Sequence, residues 1–543
     1  MYKEEMGQNM RIYQNREIMH MFAVLQQLNA ALGKRLKIEN FQSQVCVCAA
    51  STNLTCEKGY AEIGLNMENI QAPDRNQLLV ECQEWAIKIG TKVEEIEKKA
   101  AMCIKDLEEY CEDVYQISTG LTAGEMQKKI ADMDQLLRNA ILDIEKNTDK
   151  KLKILFLPYK ADMWMSFDSI WKCADEDPEA EVTVVPIPYY KFGIGNVKLI
   201  YEGGRFPDTV LITPWEEYEV QKEKPDLIFI HNPYDDGNNL TRVQGQYFSA
   251  ELKHHTGGLV YSPYFTMGGY TKGKSDFQYV NKGTIYADKV IVQSEFVKKI
   301  YESYGYPPEK LVALGSPKID AVVNYKKQNP GLPDRWKAKL EGRKIFLLNT
   351  HLSYFPAGAG NVSRYGFDYA KRYHDELLDA MIDKEGCGMI WRPHPLLFDM
   401  IEARFPECRE YVENMKKRIE MSSNCVMDEY SDYRISFFHS DALITTYSSM
   451  IHEYMVTGKP VLIFQTKPTE EGGQRSPIDM RTCYFKFKKD GGMSFKHFIE
   501  MVAEGEDPKY EERMEMLKRR SFANMDGCAG RKIYDYLKEW IMS

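Results

Sequence analysis

The stretch DALITTYSSMIHEYMVTGKPVLIF, Asp441 to Phe464, decides the reading of the whole chain. An apolar run, Ala-Leu-Ile, stops at five residues of which four carry aliphatic hydroxyls, Thr445, Thr446, Ser448 and Ser449, and a helical pattern begins at once. That helix ends near Gly458, Pro460 follows, and a second apolar run, VLIF, starts. Strand, helix and strand within 24 residues form a β-α-β unit, whose continuous apolar strands belong to a parallel sheet covered on both faces.

The same alternation extends upstream. KIFLLNT (344–350), GMIWRP (388–393), CVMD (425–428), ALIT and VLIF read as strands, with helices over about 367–383 and about 397–419 between them. Before them, KILFLP (153–158), VTVVPIP (182–188), DTVLIT (208–213), DLIFI (226–230), LVYSP (259–263), KVIVQS (289–294) and LVALGSP (311–317) form a first series. NYKKQNPGLPDRW (324–336) reads as a linker between the two. The expected fold is therefore α/β, with two doubly wound parallel-sheet domains in series, 151–325 and 340–508, facing a cleft. A helical segment over 509–543 is expected to cross back.

Residues 1–150 have another texture. Trp85, Ile89, Val93, Ile96, Ala100, Cys103, Leu107, Cys111 and Val114 recur at steps of three and four, as on one continuous helix face. Met126, Ile130, Met133, Leu137 and Ile141 form a second such face, and 19–32 a third. This module reads as a helical hairpin or bundle for packing or homo-oligomerisation; 36–75 show no period.

Composition sets the outer limits. Apolar residues are 43% and charged residues 28%, with a net charge of −9, which argues against nucleic-acid binding but leaves room for a local basic groove. The twelve cysteines are irregularly spaced, and Cys46, Cys48 and Cys56 lack a matching pair at metal-ligand spacing. With no secretory signal pattern and no apolar run of about 18 residues, a cytoplasmic protein is expected.

In open parallel sheets ligands meet the carboxyl ends of the strands. Those ends carry Thr350 and His351, Arg392 and His394, and the hydroxyl cluster. Ser448 and Ser449 at a helix start either cap it or help its free N–H groups hold a phosphate. Two adjacent hydroxyls beside His394 and Arg392 suit a diphosphate. Glu453, one turn further on, reads either as an acceptor for a ribose or polyol hydroxyl or as a helix-surface carboxylate. His394, between two prolines, suits donation to a leaving phosphate, the alternative being a buried structural histidine. Neither a P-loop nor a dinucleotide-binding glycine fingerprint is present.

WRPHP (391–395) followed by SDYRISFFHSDALITTYSSMIHEYMVTGKPVLIF resembles the CDP-glycerol glycerophosphotransferase family of teichoic-acid polymerases and primases, inverting enzymes of GT-B fold. VIVQSEFVKKIYESYGYPPEKLVALGSPKID (290–320) is similar to the G-x-P-R-x-D close of that family's first domain. NTHLSY (349–354) stands where the family has a P-T-x-R turn. The resemblance implies a first domain on the acceptor side and a second that holds a CDP-glycerol or related CDP-alditol donor. It implies that His394 assists the leaving group and that Ser448, Ser449, Arg392, Thr350 and His351 meet the donor. Glu453 would hold the donor's hydroxyls, and neither metal nor cofactor is required.

The sequence departs from the family at three points. Thr446 stands for the usual Asp and Lys318 for the usual Arg, and LVYSPYFTMGG lacks the family's first-domain histidine. His231, at the end of DLIFI, is the best substitute for the base on the acceptor hydroxyl, ahead of His254 and His255. The expected function is transfer of glycerol-phosphate, or a related alditol-phosphate, to a lipid-linked or glycan polymer precursor, with release of CMP. The alternatives are a GT-B glycosyltransferase using a nucleotide sugar and a non-catalytic assembly protein with a vestigial cleft. Lipid-linked acceptors would bring peripheral contact with the inner membrane face. The basic stretches KKLKILF (150–156) and LKRRSF (517–522) read more simply as a strand edge and a solvated helix face.

Overall fold

A computed structural model describes residues 10–36, 74–96, 101–193, 196–238, 240–268, 273, 276–350, 364–394, 397–404, 406–430, 432–446, 448, 450–464, 476–486 and 492–543. His351 and Ser449, and most of the unassigned stretch 36–75, lie outside them.

The N-terminal region is a bundle of α1 (Ile12–Arg35), α2 (Arg75–Ile96), α3 (Ala101–Ser118) and α4 (Ala123–Lys146). The periodic residues do face a common core, in which Phe22, Leu25, Cys82, Ile89, Leu107, Val114, Met133 and Leu137 are buried. The single face expected from Trp85 to Val114 is divided between α2 and α3, which lie side by side. Two helices that share one stripe each bury it against the other, so the spacing does not reveal the reversal. Thr122 and Glu125 form a reciprocal capping box at the start of α4. Ahead of α1, Arg11 anchors the bundle to the next domain by donating to the Glu223 carbonyl and pairing with Asp149.

The first α/β domain has strands β1 (Leu152–Leu157), β2 (Ala180–Val184), β3 (Tyr189–Gly193), β4 (Asn196–Ile200), β5 (Leu227–Ile230), β6 (Thr241–Val243), β7 (Gly258–Tyr261), β8 (Lys289–Ile291) and β9 (Leu311–Val312). Six form a parallel sheet in the order β2-β1-β5-β7-β8-β9. β5, β7 and β9 are buried throughout, which accounts for their unbroken apolar sequences, and β8 is buried with Lys289 donating to the Glu309 carbonyl. β4, β3 and β6 form a separate antiparallel sheet that the sequence reading did not include. The expected strand DTVLIT is not formed; one bridge, Val184 to Ile212, is its whole contact with a strand, and Leu211 points into solvent. Pro207 and Pro214, which carry no amide hydrogen, bracket that segment.

The second domain repeats the plan with β10 (Lys344–Thr350), β11 (Cys387–Pro393), β12 (Cys425–Met427), β13 (Ala442–Thr445), β14 (Val461–Phe464) and β15 (Tyr484–Lys486), ordered β12-β11-β10-β13-β14-β15, all parallel. The helix expected over 397–419 is two, Leu397–Arg404 and Arg409–Met421, with Pro406 opening a short turn between them. The C-terminal segment is likewise divided. Tyr510–Met516 stays on the second domain, where buried Arg513 donates to the Gly458 and Thr482 carbonyls. Helix Ala529–Met542 lies on the first domain, where Tyr534 and Lys538 reach Asp177 and Trp540 fills the space over Gly258. Two parallel α/β domains in series behind a helical region make this a GT-B-type architecture.

Candidate functional site

Parallel register brings three chemistry-bearing segments to one edge of the second sheet. Asn349 at the end of β10 pairs in register with Arg392 of β11 on one side and Thr445 of β13 on the other. Its side chain ties both neighbours, donating to the Arg392 carbonyl at 3.0 Å and accepting from the Thr445 hydroxyl at 3.2 Å. Just beyond, the His394 N–H donates to the Thr350 carbonyl at 2.9 Å, which fixes the histidine's backbone to the end of β10. Thr446 and Ser448 follow β13 on the other flank.

The side chains at this edge divide into committed and open groups. The Thr350 hydroxyl turns inward, accepting from Trp391 Nε1–H at 3.0 Å and lying 3.2 Å from His374 Nε2. The Arg392 guanidinium is buried in an ion pair with Asp428 and also donates to the Tyr430 carbonyl at 2.9 Å, so it braces β11 against the loop after β12. By contrast, Thr446 Oγ1 and Ser448 Oγ are buried and have no hydrogen-bond partner among the described residues. A buried hydroxyl without a partner costs about 1–3 kcal/mol. Two of them just past β13, on the sheet edge that also carries His394 two strands away, are the site's most informative feature.

Glu453 sits one helical turn past this cluster, in helix Met450–Met455, and is 5% exposed. One oxygen accepts from Lys318 Nζ at 2.6 Å and from the Thr266 hydroxyl at 3.3 Å; the other accepts from the Tyr433 hydroxyl. Lys318 and Thr266 come from the first domain's side, so this carboxylate is a contact between domains rather than a helix-surface group. Beside it His452 is packed onto Gly268, where a Cβ would come within 1.6 Å of the imidazole. Burial holds the His452 imidazole down to about 4.

The segment Gly315-Ser-Pro-Lys-Ile-Asp320, whose role the sequence did not reveal, forms the junction at this contact. Gly315 has φ of +109° and faces the Ala523 carbonyl so closely that a Cβ would lie 2.6 Å from it. Lys318 reaches Glu453. Asp320, fully buried, accepts from the N–H groups of Ala529 and Gly530 at 3.0 and 2.7 Å, capping the C-terminal helix. Gln293 completes the junction, exchanging hydrogen bonds with Met267 and donating to the Ser521 carbonyl at 2.9 Å.

His231 does not face the cleft, contrary to the expectation from its strand-end position. It is fully buried, with Nε2 accepting from the Tyr159 N–H and Nδ1 against the Ser166 hydroxyl, both at 3.1 Å, and its ring stacked on Phe167. Burial depresses it to about 3. Both ring nitrogens serve the core, so in this conformation it is not placed to take a proton from an acceptor. Among the described residues no cluster of three or more metal-ligating side chains exists, and no helix is long and apolar enough to cross a membrane.

The family model for CDP-glycerol:poly(glycerophosphate) glycerophosphotransferase matches residues 265–539, which contain the whole of the second sheet and the Gly315–Asp320 junction. No curated protein matches. Among solved structures, the wall teichoic acid polymerase TagF is 14% identical, covering 81% of this chain and 98% of its own, with a TM-score of 0.46. A putative UDP-N-acetylglucosamine 2-epimerase from Listeria monocytogenes is 14% identical over 72% of this chain and 96% of its own, at 0.47. The UDP-GlcNAc 2-epimerase from Neisseria meningitidis is 11% identical over 71% of this chain and all of its own, at 0.46. With half its length matched by the family model, the chain belongs to the CDP-glycerol:poly(glycerophosphate) glycerophosphotransferase family.

Proposed function

We propose that this protein transfers glycerol-phosphate, or a related alditol-phosphate, from a CDP-linked donor to a hydroxyl of a cell-surface polymer precursor, releasing CMP. The observation that carries the reading is the pair of buried hydroxyls, Thr446 Oγ1 and Ser448 Oγ, which have no hydrogen-bond partner among the described residues and lie on the sheet edge that also carries His394. They lie inside the segment through which the chain belongs to its family. Diphosphate oxygens are acceptors, and hydroxyls held ready at a strand end can donate to them without reorganising.

In this reading the acceptor oxygen attacks the donor's β-phosphorus. A new phosphorus–oxygen bond forms, the bond to the bridging diphosphate oxygen breaks, and the electron pair leaves with CMP. His394 donates to the departing phosphate, and Ser448 and Ser449 hold the diphosphate. Glu453, steadied by Lys318 and Tyr433, takes up donor hydroxyls. Arg392 acts from behind, through Asp428, by fixing the strand that carries His394. Positioning and electrostatics supply most of the rate, as in other phosphoryl transfers. The acceptor's proton passes to solvent water rather than to His231, whose ring nitrogens are both engaged.

The test is a donor panel. Melting temperature should rise with CDP-glycerol or another CDP-alditol and not with UDP- or GDP-sugars, and CMP should appear only with the former. Stabilisation by UDP- or GDP-sugars alone would replace this reading with the glycosyltransferase one. A panel in which nothing binds would leave the non-catalytic alternative.

A further inference from the structure

The β3–β4 hairpin carries charges that its own fold leaves unanswered. Lys191 of β3 lies directly opposite Lys198 of β4. Like charges at paired positions on neighbouring strands destabilise a sheet. Lys191 shares the strand face of Tyr189, two residues earlier, and the Tyr189 ring lies 5.3 Å from Lys160 Nζ. Lys160 also sits 5.4 Å from the Tyr159 ring, at the carboxyl end of β1. Burial holds the Lys160 ammonium below its usual range; Glu202 and Asp162 act against that shift and Lys191 adds to it.

The nearby acids are already occupied. Glu202 accepts from the Tyr189 hydroxyl at 2.7 Å and from the Ala161 N–H at 3.0 Å, and Arg205 pairs with Glu202 and with Asp162, each at 3.3 Å. Lys160, Lys191 and Lys198 have no ion-pair partner among the described residues. In a chain of net charge −9, three uncompensated ammonium groups on one face are an attractor for an anion.

We infer that Lys160, Lys191 and Lys198 form a subsite for a phosphodiester-bearing polymer, gripping backbone phosphates of the acceptor chain some distance from the bond being made. The strip begins at the carboxyl edge of the first sheet, the edge whose 266–268 loop meets Glu453 and His452. A chain held there has its terminal hydroxyl free to reach the donor edge. Two of the three lysines are exposed, which suits a repeating polyanion that slides, and the tyrosines give the half-buried one a fixed place. The inference rests on the proposed transferase reading for the identity of the polymer.

The experiment uses the full chain with fluorescently labelled poly(glycerol phosphate) of defined length, followed by anisotropy, and CDP-glycerol binding followed in parallel by thermal shift. The Lys191→Gln/Lys198→Gln variant should bind the polymer about tenfold more weakly, with a shallower dependence on salt, and the Lys191→Arg/Lys198→Arg variant should bind as the parent does. The CDP-glycerol response should be the same in all three. Polymer affinity unchanged by the glutamine pair, or equal affinity for uncharged polyglycerol, would overturn the subsite. A failure of CDP-glycerol binding in the parent protein would instead strike the transferase reading.

Discussion

Ser448 gives the donor site its sharpest signature at the scale of single residues, because its hydroxyl is costly to the apoprotein. Replacing it with alanine removes a buried polar atom that has no partner. Ser448→Ala should therefore keep or raise the melting temperature while weakening the CDP-alditol donor by about tenfold, the size of a hydrogen bond to a charged group. Calorimetric titration and thermal melting on the same samples check both halves. A loss of stability with unchanged donor affinity would make Ser448 a structural cap. Much of this was legible in the sequence, since the hydroxyl cluster and His394 follow apolar runs that could only be strands. Arg392 and Thr350 were legible in position and not in direction. Their side chains turn to Asp428, Trp391 and His374, partners between 24 and 41 residues away. His231 failed for the same reason: Ser166 and Phe167, 65 residues away in the case of Ser166, close over the strand end.

At the scale of elements, the helix Pro317–Lys327 does the joining. Its first turn sends Lys318 to Glu453, and its Asp320 caps the helix Ala529–Met542. Both contacts span more than a hundred residues, so the G-x-P-x-x-D pattern could be recognised in the sequence without its purpose being visible. Lys318→Met leaves the Glu453 carboxylate buried with only Thr266 and Tyr433, and should cost about 3 kcal/mol in denaturant unfolding. Lys318→Arg should recover most of that loss, since arginine keeps a positive charge and N–H donors within reach of the Glu453 carboxylate. Equal stability of the methionine variant and the parent would remove the ion pair from the account. The β3–β4–β6 sheet escaped the sequence because its strands are short and half exposed, with lysines among the aromatics. DTVLIT misled in the opposite direction, being apolar enough for a strand but bracketed by prolines.

On the scale of the whole molecule, buried histidines set how the fold answers acid. His231 and His452 are held to about 3 and about 4, below the 6.5 of an exposed imidazole. Protons therefore bind the unfolded chain first. The contribution of these residues is full above pH 6.5 and is lost as the pH falls towards 4 and below, at about 1.4 kcal/mol per unit for each. Asp226, raised to about 6 by burial, works with the opposite sign, so the informative quantity is a difference. His452→Gln should show a flatter fall in urea midpoint between pH 6.5 and 4.5 than the parent; parallel curves would contradict the assignment. Since His452 lies on Gly268 across the domain contact, acid should also loosen that contact.

The two domains, the Gly315–Asp320 junction and the C-terminal crossing together turn one edge of the second sheet, which carries His394, Thr446 and Ser448, towards the first domain. The most direct test is phosphorus NMR of the protein incubated with CDP-glycerol and an acceptor. The account predicts loss of the diphosphate resonances and growth of CMP and a phosphodiester in equal amounts. His394→Ala should slow this by about 10²–10⁴-fold while still binding the donor. An intact diphosphate spectrum in the presence of donor and acceptor, or turnover that His394→Ala leaves unchanged, would contradict it.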